Sequence, residues 1–135
     1  MLTHYIKTYP LGLLVTLAIL VLSLAPIPEV PAVEDVPLAD KWTHMVMYAT
    51  LTLTIWWQYL RSHKCISWQR LIVFGVLAPA TWGGLMELAQ AYLTTYRSGD
   101  WWDFVANSIG VVIGVVLGLA VRVKVGGRDS KLNAQ

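Results

Sequence analysis

The chain has 135 residues, of which 56% are hydrophobic and 13% are charged, and its mean hydropathy is +0.57. A soluble domain of this length carries about 25% charged residues, so the composition favours a membrane protein. The net charge of +2 is too small to indicate nucleic-acid binding, and the basic residues are not clustered with stacking aromatic residues. The single cysteine, Cys65, excludes an internal disulfide and a thiolate metal cluster.

Four apolar runs approach the length of about 20 residues that a helix needs to cross a bilayer. The seven tryptophans and six tyrosines suit a protein whose aromatic rings lie at two membrane–water boundaries. We therefore predict an all-α membrane protein, a bundle of four transmembrane helices that forms one domain over residues 1–125. The runs comprise residues 9–24, 42–60, 71–93 and 104–123.

The first run is open to two interpretations. It is the shortest, Lys7 precedes it, and Ser23-Leu24-Ala25 resembles the cleavage site of a secretory signal. Pro26 follows directly and disfavours cleavage. We therefore expect this run to be retained as a spanning helix.

The placement of basic residues predicts the orientation of the helices. One side of the predicted bundle carries two cations, Lys41 and Arg97, together with most of the acidic residues. An excess of Lys and Arg in short loops marks the cytoplasmic face. Both termini and the loop 61–70 are therefore predicted to be cytoplasmic, and the loops 26–40 and 94–103 to lie outside. The other basic residues flank the opposite side: Lys7, Arg61, Lys64, Arg70, Arg122, Lys124, Arg128 and Lys131.

Three segments lack a regular helical pattern. The outer loop 26–40 is rich in proline, which predicts an extended connector or a lid across the outer surface. In the third run, Pro79 followed by Gly83-Gly84 predicts a kink or a local opening of the helix. The polar, glycine-led tail 126–135 is predicted to be a disordered cytoplasmic segment.

The second run begins with a polar group. Asp40 and His44 are four residues apart and so share a helix face, with Tyr48 one turn deeper and Lys41 beside them. Each of these residues also has a structural interpretation. Asp40 would then be the N-cap of the helix, Lys41 an interfacial anchor, and His44 a hydrogen-bonded polar residue.

The third run ends with a second polar group. Glu87 and Gln90 share a helix face, and Glu87 lies about six residues, or roughly 9 Å, from the outer end. A carboxylate at this depth costs about 2.5 kcal/mol or more unless it is paired or reaches water. Gln90 is one candidate partner, and a shared polar cavity is the alternative.

The fourth run is preceded by a third polar group. Asp100 is placed to cap the last helix, and Asp103 would lie in its first turn, where the helix dipole favours negative charge. Arg97 would then hold these acids or Glu87. Capping does not explain Asn107, which lies one turn below Asp103 and too deep for an ordinary surface position.

The predicted topology places all three polar groups on the outer side, although they belong to three different helices. Ionisable residues within membrane segments usually mark a functional site. We therefore expect one polar pocket that opens to the outside.

Glycine recurs every fourth residue at the start of the fourth run. Small residues at this spacing let two helix backbones approach closely. The partner would be either a neighbouring helix of the same chain or a second copy of the chain in a homo-oligomer. The residues concerned are Gly110, Gly114 and Gly118.

The ordered polar pattern resembles a known family. It reads Asp40-Lys41-x-x-His44, then Glu87-x-x-Gln90, then Arg97-x-x-Asp100-x-x-Asp103-x-x-x-Asn107-x-x-Gly110. This pattern is similar to that of the VanZ-like family of small bacterial integral membrane proteins, and the similarity covers residues 40–118. The resemblance implies a cell-envelope protein of the bacterial cytoplasmic (inner) membrane. It also implies a link to resistance to the glycopeptide teicoplanin, and it leaves the reaction open.

Two classes of function fit these residues. In the first, the pocket binds an outer-leaflet amphiphile, such as a lipid-linked cell-wall intermediate, a phospholipid headgroup or a glycopeptide-type ligand, and Lys41 and Arg97 hold its phosphate or carboxylate. In the second, the protein is a hydrolase or transferase for a lipid headgroup. His44, Glu87 and Asp103 would then be acid–base groups or metal ligands, with the cofactor undefined. The candidate binding residues are Asp40, Lys41, Gln90, Arg97, Asp100 and Asn107.

Overall fold

The computed structural model describes residues 7–26, 37–63, 65–96 and 99–132, with side chains described as far as Arg122. These ranges contain helices and no strand, which confirms the all-α prediction. Helix α3 is continuous over Trp68–Leu93 but contains a π-helical segment at Val73–Leu77 between α-helical segments at Trp68–Ile72 and Ala78–Leu93. The other helices are α1 (Pro10–Leu24), α2 (Ala39–Ser62) and α4 (Trp101–Leu132).

Consecutive helices run in opposite directions, so that α2 and α4 run parallel. The carboxyl ends of α1 and α3 meet, because the Gln90 side-chain amide donates to the Ser23 carbonyl at 3.1 Å. The amino ends of α2 and α4 meet at the same end, because Lys41 donates to Asp100 at 2.8 Å. We call this the polar end of the bundle. It is the end to which all three polar groups of the sequence belong.

The glycine stripe of α4 is covered by α2 of the same chain. A Cβ added to Gly110 would overlap a backbone carbonyl of α2, and one on Gly114 would lie 2.6 Å from the Cβ of Thr52. A Cβ on Gly118 would lie 2.8 Å from the Trp56 ring. The sequence allowed either a neighbouring helix or a second copy of the chain as the partner of these glycines. The structure shows the neighbouring helix α2 there.

The π-helical segment has a local cause. The sequence predicts an irregularity near Pro79, and the π-helical turn ends directly before it. Proline has no N–H, and its ring clashes with the carbonyl four residues earlier, which here belongs to Gly75. The indole N–H of Trp56 donates to the Gly75 carbonyl at 3.2 Å. Trp56 of α2 therefore supplies to the Gly75 carbonyl the hydrogen-bond donor that Pro79 lacks.

Helix α1 is fixed at both ends by glutamine side chains of other helices. Pro10 occupies its first turn, and the backbone N–H of Gly12, which has no intrahelical acceptor there, donates to Gln58 Oε1 at 2.8 Å. At the other end, Gln90 binds the Ser23 carbonyl, one of the last four of the helix. Neither glutamine pairs with a group of its own helix, so both hold α1 against the bundle.

Many large hydrophobic residues are exposed, and polar residues make up a large share of the buried ones. Among the described residues, nine buried residues are hydrophobic and eight are polar or charged. Large hydrophobic side chains face outward on every helix, for example Leu14, Val46, Leu88 and Val112. Two helical stretches, Trp68–Leu93 and Trp101–Arg122, are long and apolar enough to cross a membrane. Helix α1 is apolar but shorter, with 15 residues.

Three predictions concern segments at the margins of the described ranges. Most of the proline-rich loop 26–40 and the whole of Arg97 lie outside them, so the predicted lid or connector and the predicted role of Arg97 are not observed. Helix α4 extends to Leu132, and the disordered cytoplasmic tail predicted for 126–135 stays a prediction. Residues 133–135 also lie outside the described ranges.

Candidate functional site

Three helices bring charged and polar side chains together at the polar end. Helix α2 contributes them from its first two turns, α3 from its penultimate turns, and α4 from its amino end and the residue before it. The residues that contact one another there form what we call the polar cluster: Asp40, Lys41, His44, Glu87, Asp100, Asp103 and Asn107.

Lys41 joins α2 to α4. Its ammonium group donates to Asp103, to Asp100 at 2.8 Å and to Asp40 at 3.5 Å, which accounts for its three N–H donors. Partial burial opposes the charge on Lys41, but the hydrogen bonds that it donates to Asp100 and Asp103 outweigh this effect and raise the pKa of the amine. The hydrogen bond from Lys41 in turn lowers the pKa of Asp100. Lys41 therefore links α2 to the amino end of α4 through salt bridges.

A second chain of hydrogen bonds lies deeper in the cluster. Asn107 is fully buried, and its Nδ2 donates to Glu87 Oε1 at 3.0 Å. Because the amide nitrogen is used in this way, its oxygen is the acceptor that faces His44 Nδ1 at 3.1 Å. His44 therefore donates from Nδ1. The chain His44–Asn107–Glu87 joins α2, α4 and α3, and it satisfies the amide that the capping interpretation leaves unexplained.

The other ring nitrogen of His44 faces two carboxylates. Its Nε2 lies 3.6 Å from Asp40 Oδ1 and 3.8 Å from Asp103 Oδ2, beyond hydrogen-bond distance in both cases. The remaining oxygen of each aspartate, Asp40 Oδ2 and Asp103 Oδ1, accepts from Lys41. Each aspartate thus divides its two oxygens between a cation and the imidazole.

The absence of a side chain at Gly83 makes room for the buried hydrogen bonds of His44, Asn107 and Glu87. A Cβ there would lie 3.2 Å from the Cβ of Asn107 and 3.3 Å from the Tyr48 ring. The sequence analysis assigned Gly83 to a kink and missed this packing role. The signal was its position four residues before Glu87, which places both residues on the same face of α3.

Several structural alternatives of the sequence analysis can now be compared with the geometry. Leu38, with a positive φ of 60°, precedes α2 at the cap position, so Asp40 is not its N-cap. Gln90 binds the Ser23 carbonyl rather than pairing with Glu87. Asp100 does cap α4, because its Oδ1 accepts from the backbone N–H of Trp102 at 3.0 Å.

The charges of the cluster do not balance. Four carboxylates and one ammonium group give a formal charge of −3 when His44 is neutral. Two buried oxygens beside it, Glu87 Oε2 and the Tyr48 hydroxyl, have no hydrogen-bond partner within the described ranges. The cluster is therefore suited to accept hydrogen-bond donors or a cation.

A separate cavity of about 420 Å³ lies at the opposite end of the bundle, away from the polar cluster. Its lining is mainly apolar, with Arg70 and His63 among its polar members. None of the candidate site residues from the sequence lines it. We base the functional assignment on the cluster because its chemistry, rather than its free volume, is unusual.

Comparisons with known proteins identify a relative but no activity. No family model matches the chain, and no solved structure matches it. The chain is 31% identical over 115 residues to an uncharacterized protein of the fission yeast Schizosaccharomyces pombe. The match covers 84% of this chain and 65% of that relative. Because the relative is a yeast protein, it lends no support to a bacterial setting.

Proposed function

We propose that the chain is a four-helix membrane protein with its polar end on the outer side and both termini in the cytoplasm. The two long apolar stretches, Trp68–Leu93 and Trp101–Arg122, support insertion. The outward-facing hydrophobic residues on α1 and α2 extend that argument to the other two helices. The basic residues at the opposite end support the orientation.

We further propose that the polar cluster binds the headgroup of an amphiphile from the outer leaflet. The observation that carries this proposal is the buried, net-negative cluster at one end of an otherwise apolar bundle. Burying such groups costs several kcal/mol unless they are fully paired, so their retention favours a role beyond folding. Asp40 and Asp100 are the most exposed members and would accept hydroxyl or amine donors of the headgroup.

The anionic part of the headgroup needs a positive partner. Arg97 is the candidate that the sequence offers, because a guanidinium has the bidentate geometry that suits phosphate and carboxylate groups. Lys41 can take part only by exchanging one of its aspartate partners, since its donors are in use. Of its two partners at the amino end of α4, we propose that Asp100, which is more exposed than Asp103, is the one exchanged.

The resemblance to the VanZ-like family narrows the class of amphiphile. It favours a lipid-linked intermediate of the bacterial cell wall, or a phospholipid headgroup, in the cytoplasmic membrane. A link to teicoplanin resistance would follow if the headgroup that this protein binds were also one that a glycopeptide recognises. This extension rests on the polar pattern of the sequence alone.

The binding proposal is tested by titration of the purified protein in lipid nanodiscs with a polyprenyl phosphate and with an anionic phospholipid. Arg97→Ala and Lys41→Ala are each expected to weaken binding by about tenfold or more, the loss typical of a charge-assisted contact. Arg61→Ala, at the opposite end, is the matched control and should bind normally. Unchanged affinity in both test variants would contradict the proposal.

A second candidate function is an enzyme acting on a lipid headgroup. The observation that favours it is the imidazole held through Nδ1 by Asn107, which leaves Nε2 directed at the mouth of the cluster. A histidine oriented in this way suits general acid–base chemistry near neutral pH. Hydrolysis and transfer assays on lipid phosphates decide between the candidates. Turnover that His44→Gln abolishes, while amphiphile binding persists, would establish the enzyme.

A further inference from the structure

We propose that Asp40, His44 and Asp103 bind a divalent transition-metal ion at the mouth of the polar cluster. One ligand atom of each residue lies within 4.8 Å of the others. The inference rests on the proposed role of this cluster as the functional site. Metal binding itself requires no lipid, so it is tested separately.

The first argument concerns the tautomer of His44. The chain from Glu87 through Asn107 makes Nδ1 the donor, so a neutral His44 presents an Nε2 lone pair to the two aspartates. That lone pair faces two anionic oxygens, a repulsion that a metal ion between the groups, or a proton on Nε2, relieves. His44 is 4% exposed, which limits the screening of this repulsion by water.

The second argument is the spacing of the ligand atoms. The Nε2 atom lies 3.6 Å from Asp40 Oδ1 and 3.8 Å from Asp103 Oδ2. These distances are too long for hydrogen bonds. Ligands at about 2.0–2.2 Å from a tetrahedral ion are about 3.3–3.6 Å apart, so small side-chain adjustments would complete the geometry.

The third argument is the support around the three ligands. A ligating histidine usually donates its other N–H to a carbonyl or carboxylate, and Asn107 Oδ1 accepts that bond here. Lys41 holds the second oxygen of both aspartates and so fixes the orientation of their carboxylates. The formal charge of −3 on the cluster accommodates a divalent ion even with Lys41 charged.

The ligand set indicates the class of ion and its use. One imidazole with two carboxylates suits Zn²⁺ or Mn²⁺ more than a soft metal, since no thiolate or thioether is included. The Asp40 side chain is 56% exposed, which gives the ion a route of entry and leaves a coordination position open to the outside. An ion there would attract the phosphate of a headgroup to a cluster that is otherwise negative.

The test is a titration of metal alone into chelator-treated protein in nanodiscs that contain only zwitterionic lipid. Zn²⁺ binding followed by calorimetry is expected to give one ion per chain. Asp103→Asn and His44→Gln should each weaken binding by about tenfold or more, and Asn107→Ala by about tenfold, as loss of an outer-shell partner does. His63→Gln, at the opposite end of the bundle, removes an imidazole but no proposed ligand, and should change the affinity by less than about threefold.

A spectroscopic measurement covers variants that fail to fold. Cu²⁺ bound to protein carrying His4→Gln and His63→Gln, which keeps only His44, should show the electron-spin-echo modulation of one coordinated imidazole. No stoichiometric binding, or an equal loss in His63→Gln and His44→Gln, would overturn the site. Metal binding without amphiphile binding would instead contradict only the proposed function.

Discussion

At the scale of single residues, Asn107 decides how the buried end of the molecule is arranged. It is the residue through which α2, α3 and α4 are joined, since its amide accepts from His44 and donates to Glu87. Its carboxamide is well suited to this place because it is a donor and an acceptor in one uncharged group. A leucine of similar volume would leave both neighbours unpaired.

Asn107→Leu is therefore expected to lower the free energy of unfolding by about 1–3 kcal/mol, the penalty for leaving buried polar groups without partners. The measurement is reversible unfolding in mixed micelles with increasing denaturing detergent. Ser108→Ala is the control, because the hydroxyl of Ser108 donates to the Phe104 carbonyl of its own helix and makes no other hydrogen bond within the described part of the chain. Equal stability of the two variants would show that the hydrogen bonds of Asn107 to His44 and Glu87 do not hold the helices together.

Trp56 offers a second test at this scale. Trp56→Phe removes the N–H that serves the Gly75 carbonyl and keeps most of the ring. We expect a loss of about 0.5–1.5 kcal/mol in the same unfolding measurement. The neighbouring Trp57 stacks under Arg61 at the surface, so Trp57→Phe should cost less. A larger loss of stability in Trp57→Phe would contradict a stabilising hydrogen bond from Trp56 to the Gly75 carbonyl.

At the scale of helices, two devices fix the bundle: the glycine stripe between α2 and α4, and the glutamine clamps on α1. Both place a small or polar residue where two helices meet. In lipid, helices gain little from burying apolar surface against each other, so close packing and hydrogen bonds decide how they associate. The two devices can be tested independently because they act on different helix pairs.

Gly114→Ala should separate α2 from α4. Its Cβ would lie 2.6 Å from the Cβ of Thr52 and 2.8 Å from the Ala49 carbonyl, so one helix must move. Overpacking of this kind costs about 1–3 kcal/mol, which unfolding in mixed micelles would measure. Val112→Ala, on the exposed face of the same helix, is the control. If crosslinking in a bilayer showed that Gly114→Ala disrupts a dimer while the monomer keeps its stability, the intrachain packing would be wrong.

Gln58→Leu should loosen the amino end of α1 without unfolding the bundle. The Gly12 N–H then loses its acceptor, and amide hydrogen exchange over the first turns of α1 is expected to accelerate by about tenfold, corresponding to about 1.4 kcal/mol. Gln69→Leu changes an exposed glutamine of α3 and serves as the control. Exchange that is unchanged in α1, or equally faster in every helix, would contradict a local clamp.

At the scale of the whole molecule, the outward-facing hydrophobic residues and the excess of basic residues at one end predict a defined membrane topology. Cys65 lies in the short connection before α3, at the end opposite the polar cluster, and is exposed. Thr95 lies just beyond α3 at the polar end and is also exposed. The two positions therefore report on opposite sides of the proposed membrane.

A membrane-impermeant maleimide should distinguish these positions. In intact cells it is expected to leave Cys65 unlabelled and to label Thr95→Cys in a Cys65→Ser background, because we propose that the polar end lies outside. Inverted membrane vesicles should give the opposite pattern. Labelling of both positions in intact cells, in the absence of permeabilisation, would contradict a spanning bundle with this orientation.

The sequence by itself determined the helical class and the approximate extent of each helix, because apolar runs and their polar boundaries are local properties. It also selected the residues of the polar cluster, since a charged side chain next to an apolar run is conspicuous without any fold. The pairing of those residues depended on the tertiary structure. Only the packing of the four helices shows that Gln90 binds α1, that Asn107 rather than Gln90 binds Glu87, and that Lys41 is paired with aspartates. These contacts join residues about twenty to seventy positions apart, and a single sequence carries no record of which distant groups share a hydrogen bond.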